Sequence, residues 1–191
     1  MRKFLMVGFA LVLLVGCRQS TLPFNSVDIT GITGYGQDFR LIDHLGKPRT
    51  MADFRGKVVA IFFGYTSCPD VCPTTLSDMR QVMQQLGPKS EKLQVVFITI
   101  DPKRDSVAKL GQYVPSFNPT FIGLTGDDAA IKDATRAFKI IARVVDGKTP
   151  DTYTVDHTAG MFVIDPQGRL RLMVPYGLAV EKVTDDIKRL M

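Results

Sequence analysis

The sequence predicts an α/β fold, a three-layer α/β/α sandwich with an N-terminal β-hairpin extension, and three observations predict it. Residues 58–63 and 93–100 are apolar runs rich in β-branched and aromatic side chains, the pattern of strands buried on both faces. A helix-period segment separates them, which makes them parallel. Near the C-terminus, Asp165-Pro166-Gln167-Gly168 is a tight turn between two more strand-like runs, so buried parallel strands come first and a β-hairpin last.

Residues 18–36 are polar, carry glycines and lack strong periodicity, which predicts a tether, with the fold beginning near Asp38. Phe39, Leu41 and Asp43, the turn at 44–48 and residues 50–54 predict a hairpin ahead of the first long strand. His44, beside Gly46, fits an exposed turn residue better than a ligand. Gly64 stops the strand at 58–63. Thr66 and Ser67 form turns, and Pro69 and Pro73 exclude a regular helix through Cys68 and Cys72. The next helix runs from about Pro73 to Gly87, with Leu76, Met79, Val82, Met83 and Leu86 on one face. Asp101 and Arg104 end the second strand where ligands gather in open α/β sheets. The stronger reading makes Asp101 a turn cap and Asp105 or Ser106 the cap of a helix over 107–113. Residues 121–126 read as a connector, 127–139 as a helix, 140–145 as a strand and 146–152 as a polar loop. A loop at 153–158 leads into the hairpin strands 159–164 and 169–174, and a helix over 179–190 closes the chain. No internal repeat interrupts this order, and the sandwich it describes is of thioredoxin-like type.

The 191 residues, 45% hydrophobic, suit one folded domain. Arg2 and Lys3 precede an apolar run at 4–16, too short to span a bilayer comfortably, and Leu14-Val15-Gly16-Cys17 follows the pattern of a bacterial lipoprotein signal. The expected organisation is therefore a signal peptide at 1–16, a lipidated Cys17 with a tether to 36, and a thioredoxin-like domain at 37–191. The expected place is the bacterial periplasm, on a membrane, through a lipid anchor. Arg18 is not the aspartate of the usual inner-membrane retention signal. The formal charge of +5 falls to +3 once Arg2 and Lys3 leave with the signal, and the basic residues are scattered, so no nucleic-acid role is inferred.

Of three cysteines, lipidation of Cys17 leaves one pair, Cys68 and Cys72. A disulfide closing so small a ring removes little unfolded-state entropy, so a redox or metal role outweighs a structural one. Both sit at or just before a helix N-terminus, where unpaired amides and the dipole favour a thiolate. On a thioredoxin-like fold the loop before the final hairpin faces this place, which brings in His157 by analogy of fold. Two thiolates and an imidazole suit Cu(I), and the imidazole keeps Cu(II) available; zinc would be left with an open position. Asp156 is a candidate to orient the imidazole from outside the ligand set.

The segments FGYTSCPDVCPTTL (63–76), DPKRDS (101–106), GLTG (123–126) and YTVDHTAGMFVIDPQG (153–168) resemble the Sco/SenC family of copper-binding, thioredoxin-like proteins, over a likeness from about Gly34 to the C-terminus. The resemblance implies that Cys68, Cys72 and His157 are copper ligands and that the protein is a metallochaperone for the dinuclear copper site of cytochrome c oxidase. Subunit II of that oxidase is the implied recipient, with another periplasmic copper chaperone as a second partner. Thr158 stands where a serine is more usual, and the lipoprotein-type Cys17 replaces the transmembrane anchor of many relatives.

Two other functions compete. A thiol–disulfide reductase would cycle Cys68 and Cys72 to keep a partner's copper-ligand cysteines reduced, and would give His157 no necessary part. A peroxidase is suggested by Thr66-Ser67-Cys68, but its Thr-to-Cys spacing is one residue short. The methionines add no separate copper box, since Met79 and Met83 belong to the helix core stripe.

Overall fold

The computed structural model describes residues 23–36, 38–147, 149 and 152–191, so the signal segment and Cys17 lie outside the described residues. Among the described residues no helix is long and apolar enough to cross a membrane. In chain order the elements are β1 (Val27–Asp28), β2 (Leu41–Asp43), β3 (Pro48–Arg49), β4 (Val58–Gly64), α1 (Val71–Leu86), β5 (Leu93–Thr99), α2 (Val107–Tyr113), β6 (Ile122–Thr125), α3 (Asp128–Ala137), β7 (Ala142–Val145), β8 (Thr154–His157), β9 (Met161–Ile164), β10 (Leu170–Val174) and α4 (Val180–Leu190).

Eight strands form one sheet in the order β1-β10-β9-β4-β5-β6-β2-β3. β4, β5 and β6 are parallel; β9 runs antiparallel to β4 and carries β10 as its hairpin partner. Period-two alternation splits β4 between two cores. Val58, Ala60 and Phe62 face a layer holding Leu76 and Met79 of α1, Leu110 of α2 and Ile187 of α4. Val59, Ile61 and Phe63 face the opposite side, where Ile131 and Ala134 of α3 and the neighbouring Phe138 pack. Helices therefore cover both faces, and the predicted α/β/α sandwich is what forms. The N-terminal hairpin is β2–β3, attached to the far edge through β6.

Four local expectations need correction. The stretch read as tether contributes β1, which adds to the sheet edge beside β10. The Asp186 carboxylate holds it there by accepting from Asn25 N, Ser26 N and Ser26 Oγ at 2.7–2.9 Å. Two residues of strand leave no periodic signal, and the clamp joins segments 160 positions apart. The supposed connector at 121–126 is the parallel strand β6. Gly123 hides it, because a Cβ there would lie 2.9 Å from Val114 Cγ2, so close packing replaces the expected β-branched residue. Helix α1 starts at Val71, which puts Cys72 inside its first turn. Pro73 is no obstacle there: the amide it lacks is among those a helix start leaves unpaired, and the ladder opens with Thr74 N donating to Asp70 O. Finally, residues read as a loop at 153–158 include β8, which pairs with β7 in a separate two-stranded hairpin.

Candidate metal centre

Two elements meet at the site. The first is the loop from the end of β4 to the start of α1. Cys68 N donates to Tyr65 O at 3.1 Å, closing a turn that brings the half-buried Cys68 back toward the helix. Cys72 is 1% exposed and neither sulfur is in a disulfide. The Cys72 side chain fills the space over Gly64, where a Cβ would stand 2.5 Å from its Sγ. The glycine that ends the strand is thus also the seat of the sulfur.

Burial pushes the Cys72 thiol well above its ordinary range, and the nearby Cys68 adds to this, against a smaller opposing contact from the Tyr65 backbone. For Cys72 this corrects the expectation of a thiolate favoured by the helix N-terminus. Desolvation of a sulfur packed in the core outweighs the dipole, so a metal that took Cys72 as a ligand would have to displace its proton.

The loop is held from behind by Asp105, which is fully buried. Its carboxylate accepts from Thr66 N at 2.9 Å, Thr66 Oγ1 at 2.5 Å and Thr99 Oγ1 at 2.7 Å. Ser106, not Asp105, caps α2, accepting from Lys109 N. His44 is structural: its Nδ1 accepts from Gly123 N and its own amide donates to Gly123 O, extending the pairing of β2 with β6.

The second element is the β7–β8 hairpin, which carries His157 at the last position of β8. Its Nδ1–H donates to Thr158 O at 3.0 Å, which leaves Nε2 with the lone pair for a metal. The imidazole meets the Tyr65 ring edge-on, with centroids 6.3 Å apart. His157 and Cys68 line one open cleft of about 470 Å³ together with Tyr65 and Val155. On the other side His157 and Cys72 line an apolar cavity floored by Phe62, Met79 and Val82. Asp156 lines the same cleft, opposite Arg143 in the β7–β8 register, while the hydrogen-bond partner that the structure gives the imidazole is the Thr158 carbonyl. Among the described residues no three His, Cys, Asp or Glu side chains stand close enough to hold a metal ion. Ligation by all three predicted residues therefore requires the imidazole to close on the sulfurs across the cleft.

Further residues surround the site. The Tyr65 hydroxyl oxygen accepts from Val155 N at 3.2 Å. Arg104 stacks on the Tyr153 ring, its guanidinium carbon 3.6 Å from the centroid, and pairs with Asp101. The Tyr113 hydroxyl is buried with no hydrogen-bond partner among the described residues; burial, with Cys72 and Cys68 behind it, pushes its pKa up. In the sequence, Asp101 and Arg104 stood out as charge at the end of β5, Tyr65 and Tyr153 only as members of the family segments, and Tyr113 not at all.

The family model SCO1/SenC matches residues 27–191. The chain is 37% identical over 156 residues to the mitochondrial SCO2 homolog of Bos taurus, covering 81% of this chain and 59% of that protein. It spans about three fifths of the length of that relative and of its mouse and human counterparts. Among solved structures it is similar to copper-bound ScoI of Bradyrhizobium japonicum, with TM-score 0.77 and 38% identity over 82% of this chain and 99% of that one. It is also similar to apo Sco1 of Thermus thermophilus, with TM-score 0.78 and 35% identity over 90% and 99%. The match takes in the cysteine loop, its Asp105 anchor and the hairpin bearing His157, and the chain belongs to the SCO1/SenC family.

Proposed function

We propose that this chain is a copper metallochaperone that binds one copper through Cys68, Cys72 and His157 and serves assembly of the dinuclear copper site of cytochrome c oxidase. The observation that carries the reading is that His157 is shared by the two spaces into which the sulfurs open, the cleft with Cys68 and the cavity with Cys72. Two sulfurs and an imidazole nitrogen form a soft donor set that suits Cu(I) and still accepts Cu(II). A B. japonicum relative with 38% identity has been solved with copper bound. In this reading Cys72 gives up its proton to the incoming metal, Cys68 supplies the second sulfur, and the hairpin brings Nε2 across the cleft. The half-exposed Cys68 remains the point at which a partner's ligand, such as one from subunit II, begins the exchange. The periplasm, with a lipid on Cys17, is the proposed location.

The test is anaerobic titration of the reduced chain, in detergent, with Cu(I) against a competing chelator, for wild type and His157→Ala. One tight copper, strongly weakened by loss of the imidazole, supports the carrier. Binding indifferent to His157→Ala removes the three-ligand site.

A thiol–disulfide reductase is the second reading, favoured by the asymmetry of the pair. Cys68 is half-exposed for attack on a partner's disulfide, while Cys72 lies buried behind it to resolve the mixed disulfide. A reduction potential that stays strongly reducing in His157→Ala, together with absent tight copper binding, would put this reading first.

A further inference from the structure

We propose that Arg104 is a positioning residue for His157: it straps the β7–β8 hairpin to the rim of the cysteine cleft and fixes the pivot from which the imidazole closes. This rests on the copper reading above. Every hydrogen bond that the described residues show between the 142–157 hairpin and the main sheet domain runs to one small group at the end of β4 and in the β5–α2 loop. Arg104 Nη1 donates to Tyr153 O at 2.9 Å, Tyr153 O–H donates to Asp101 Oδ1 at 2.8 Å, and Val155 N donates to the Tyr65 hydroxyl at 3.2 Å. The Arg104 guanidinium is common to these contacts, lying 3.6 Å from the Tyr153 centroid and 5.5 Å from that of Tyr65, while paired with Asp101.

The geometry explains why an arginine is needed. A planar guanidinium stacks on one ring while its in-plane N–H groups reach a carbonyl and a carboxylate; an ammonium does one of these at a time. β7 is exposed along its whole length and brings little buried surface to hold the hairpin. The strap grips Tyr153 and Val155, and His157 lies one same-face position beyond Val155. Fixing that end leaves the imidazole a short arc to the sulfurs. Without it the whole hairpin must be ordered when metal binds, a cost subtracted from affinity.

The test uses the full chain, reduced, in detergent, with Arg104→Ala, Arg104→Lys and Tyr153→Leu. Amide exchange in residues 142–145 and 154–157 is expected to quicken by about tenfold or more in Arg104→Ala, with β4 and β5 unchanged. Cu(I) affinity is expected to fall roughly 10- to 100-fold, as for loss of other residues that orient a ligand, with Arg104→Lys recovering only part. In the His157→Ala background Arg104→Ala is expected to cost nothing more. If Arg104→Ala disturbs β4 and β5, the comparison rests on Arg104→Lys and Tyr153→Leu, which spare the ion pair or the backbone contact. Tight copper that depends on His157 but not on Arg104 or Tyr153 overturns the strap alone, as does an additional loss beside His157→Ala. No tight copper, or none that depends on His157, overturns the copper reading; unchanged hairpin exchange in the same samples then overturns the strap as well.

Discussion

The carboxylate of Asp105 accepts hydrogen bonds from both the amide and the hydroxyl of Thr66, at 2.9 and 2.5 Å, and so ties the cysteine loop to a buried charge 39 residues away. Thr99 Oγ1 adds a third bond from the end of β5. Asp105→Ala orphans all three donors beneath the loop and is expected to cost about 3 kcal/mol. The check is urea unfolding with an unchanged m value. A loss below about 1 kcal/mol would mean that the loop holds its shape without this anchor.

Gly64→Ala is expected to destabilise the chain by about 1–3 kcal/mol, because the added methyl overlaps Cys72 Sγ and sits 2.9 Å from Phe97 Cε2. Much of the loss is expected to vanish in the Cys72→Ala background. A double-mutant cycle by thermal unfolding measures this, and strictly additive losses would contradict the contact.

Copper affinity is expected to rise with pH across the neutral range. Burial holds Cys72 as a thiol, so ligation releases its proton, and each proton released makes the apparent affinity climb about tenfold per pH unit. Competition titrations at several pH values read the slope directly. A flat profile would show that Cys72 is already a thiolate before the metal arrives.

Acid is expected to loosen the N-terminal clamp. Burial pushes the Asp186 carboxyl up, but the Asn25 and Ser26 amides and the Ser26 hydroxyl outweigh it and hold the group below the usual carboxylate range. Asp43 and Asp165 are lowered in the same way by turn amides and by Arg49 or Arg169. For a depressed carboxyl the stabilisation is fully present above the unfolded value, about 3.9, and is lost as pH falls through the folded one. Stability should therefore be level on this account from pH 5 to 7 and drop below about pH 4. Asp186→Asn should show a smaller acid drop than wild type.

Tyr113→Phe is expected to be neutral or to stabilise by up to about 1 kcal/mol, since the hydroxyl is buried without a partner among the described residues while the ring packs on Phe97 and Phe117. Unfolding midpoints decide the matter. A clear loss would reveal a hydrogen bond made by that hydroxyl.

The parts of the fold legible in the sequence are those whose burial is complete. β4 and β5 are buried at every position, and the α1 stripe from Leu76 to Leu86 repeats at helical spacing. β6 escaped because Gly123 trades propensity for closeness to Leu110 and Val114. β8 escaped because Val155 is its one buried residue, so Thr-Val-Asp-His looks like a loop. At the site, Cys68 and Cys72 announced themselves by spacing, whereas His157 was reached through analogy of fold and family. Asp105 was legible as a polar residue at a helix start, but which way its carboxylate turns depends on Thr66 and Thr99, which local rules do not see. The arginine strap is wholly tertiary: it joins Tyr65, Arg104 and Tyr153 from three separate stretches.

The clamp on Asn25 and Ser26 changes the length of the leash. If the lipid sits on Cys17, as we propose, a free stretch reaching to residue 36 would let the domain roam about 65 Å from the bilayer at full extension. With the chain secured to Asp186 from Asn25 onward, and Pro23 O further held by Arg189, the run from Cys17 to Pro23 allows at most about 20 Å. The domain would then patrol a thin layer at the membrane surface, so a recipient must offer its acceptor sulfurs and nitrogens within that layer rather than wait for a far-reaching courier.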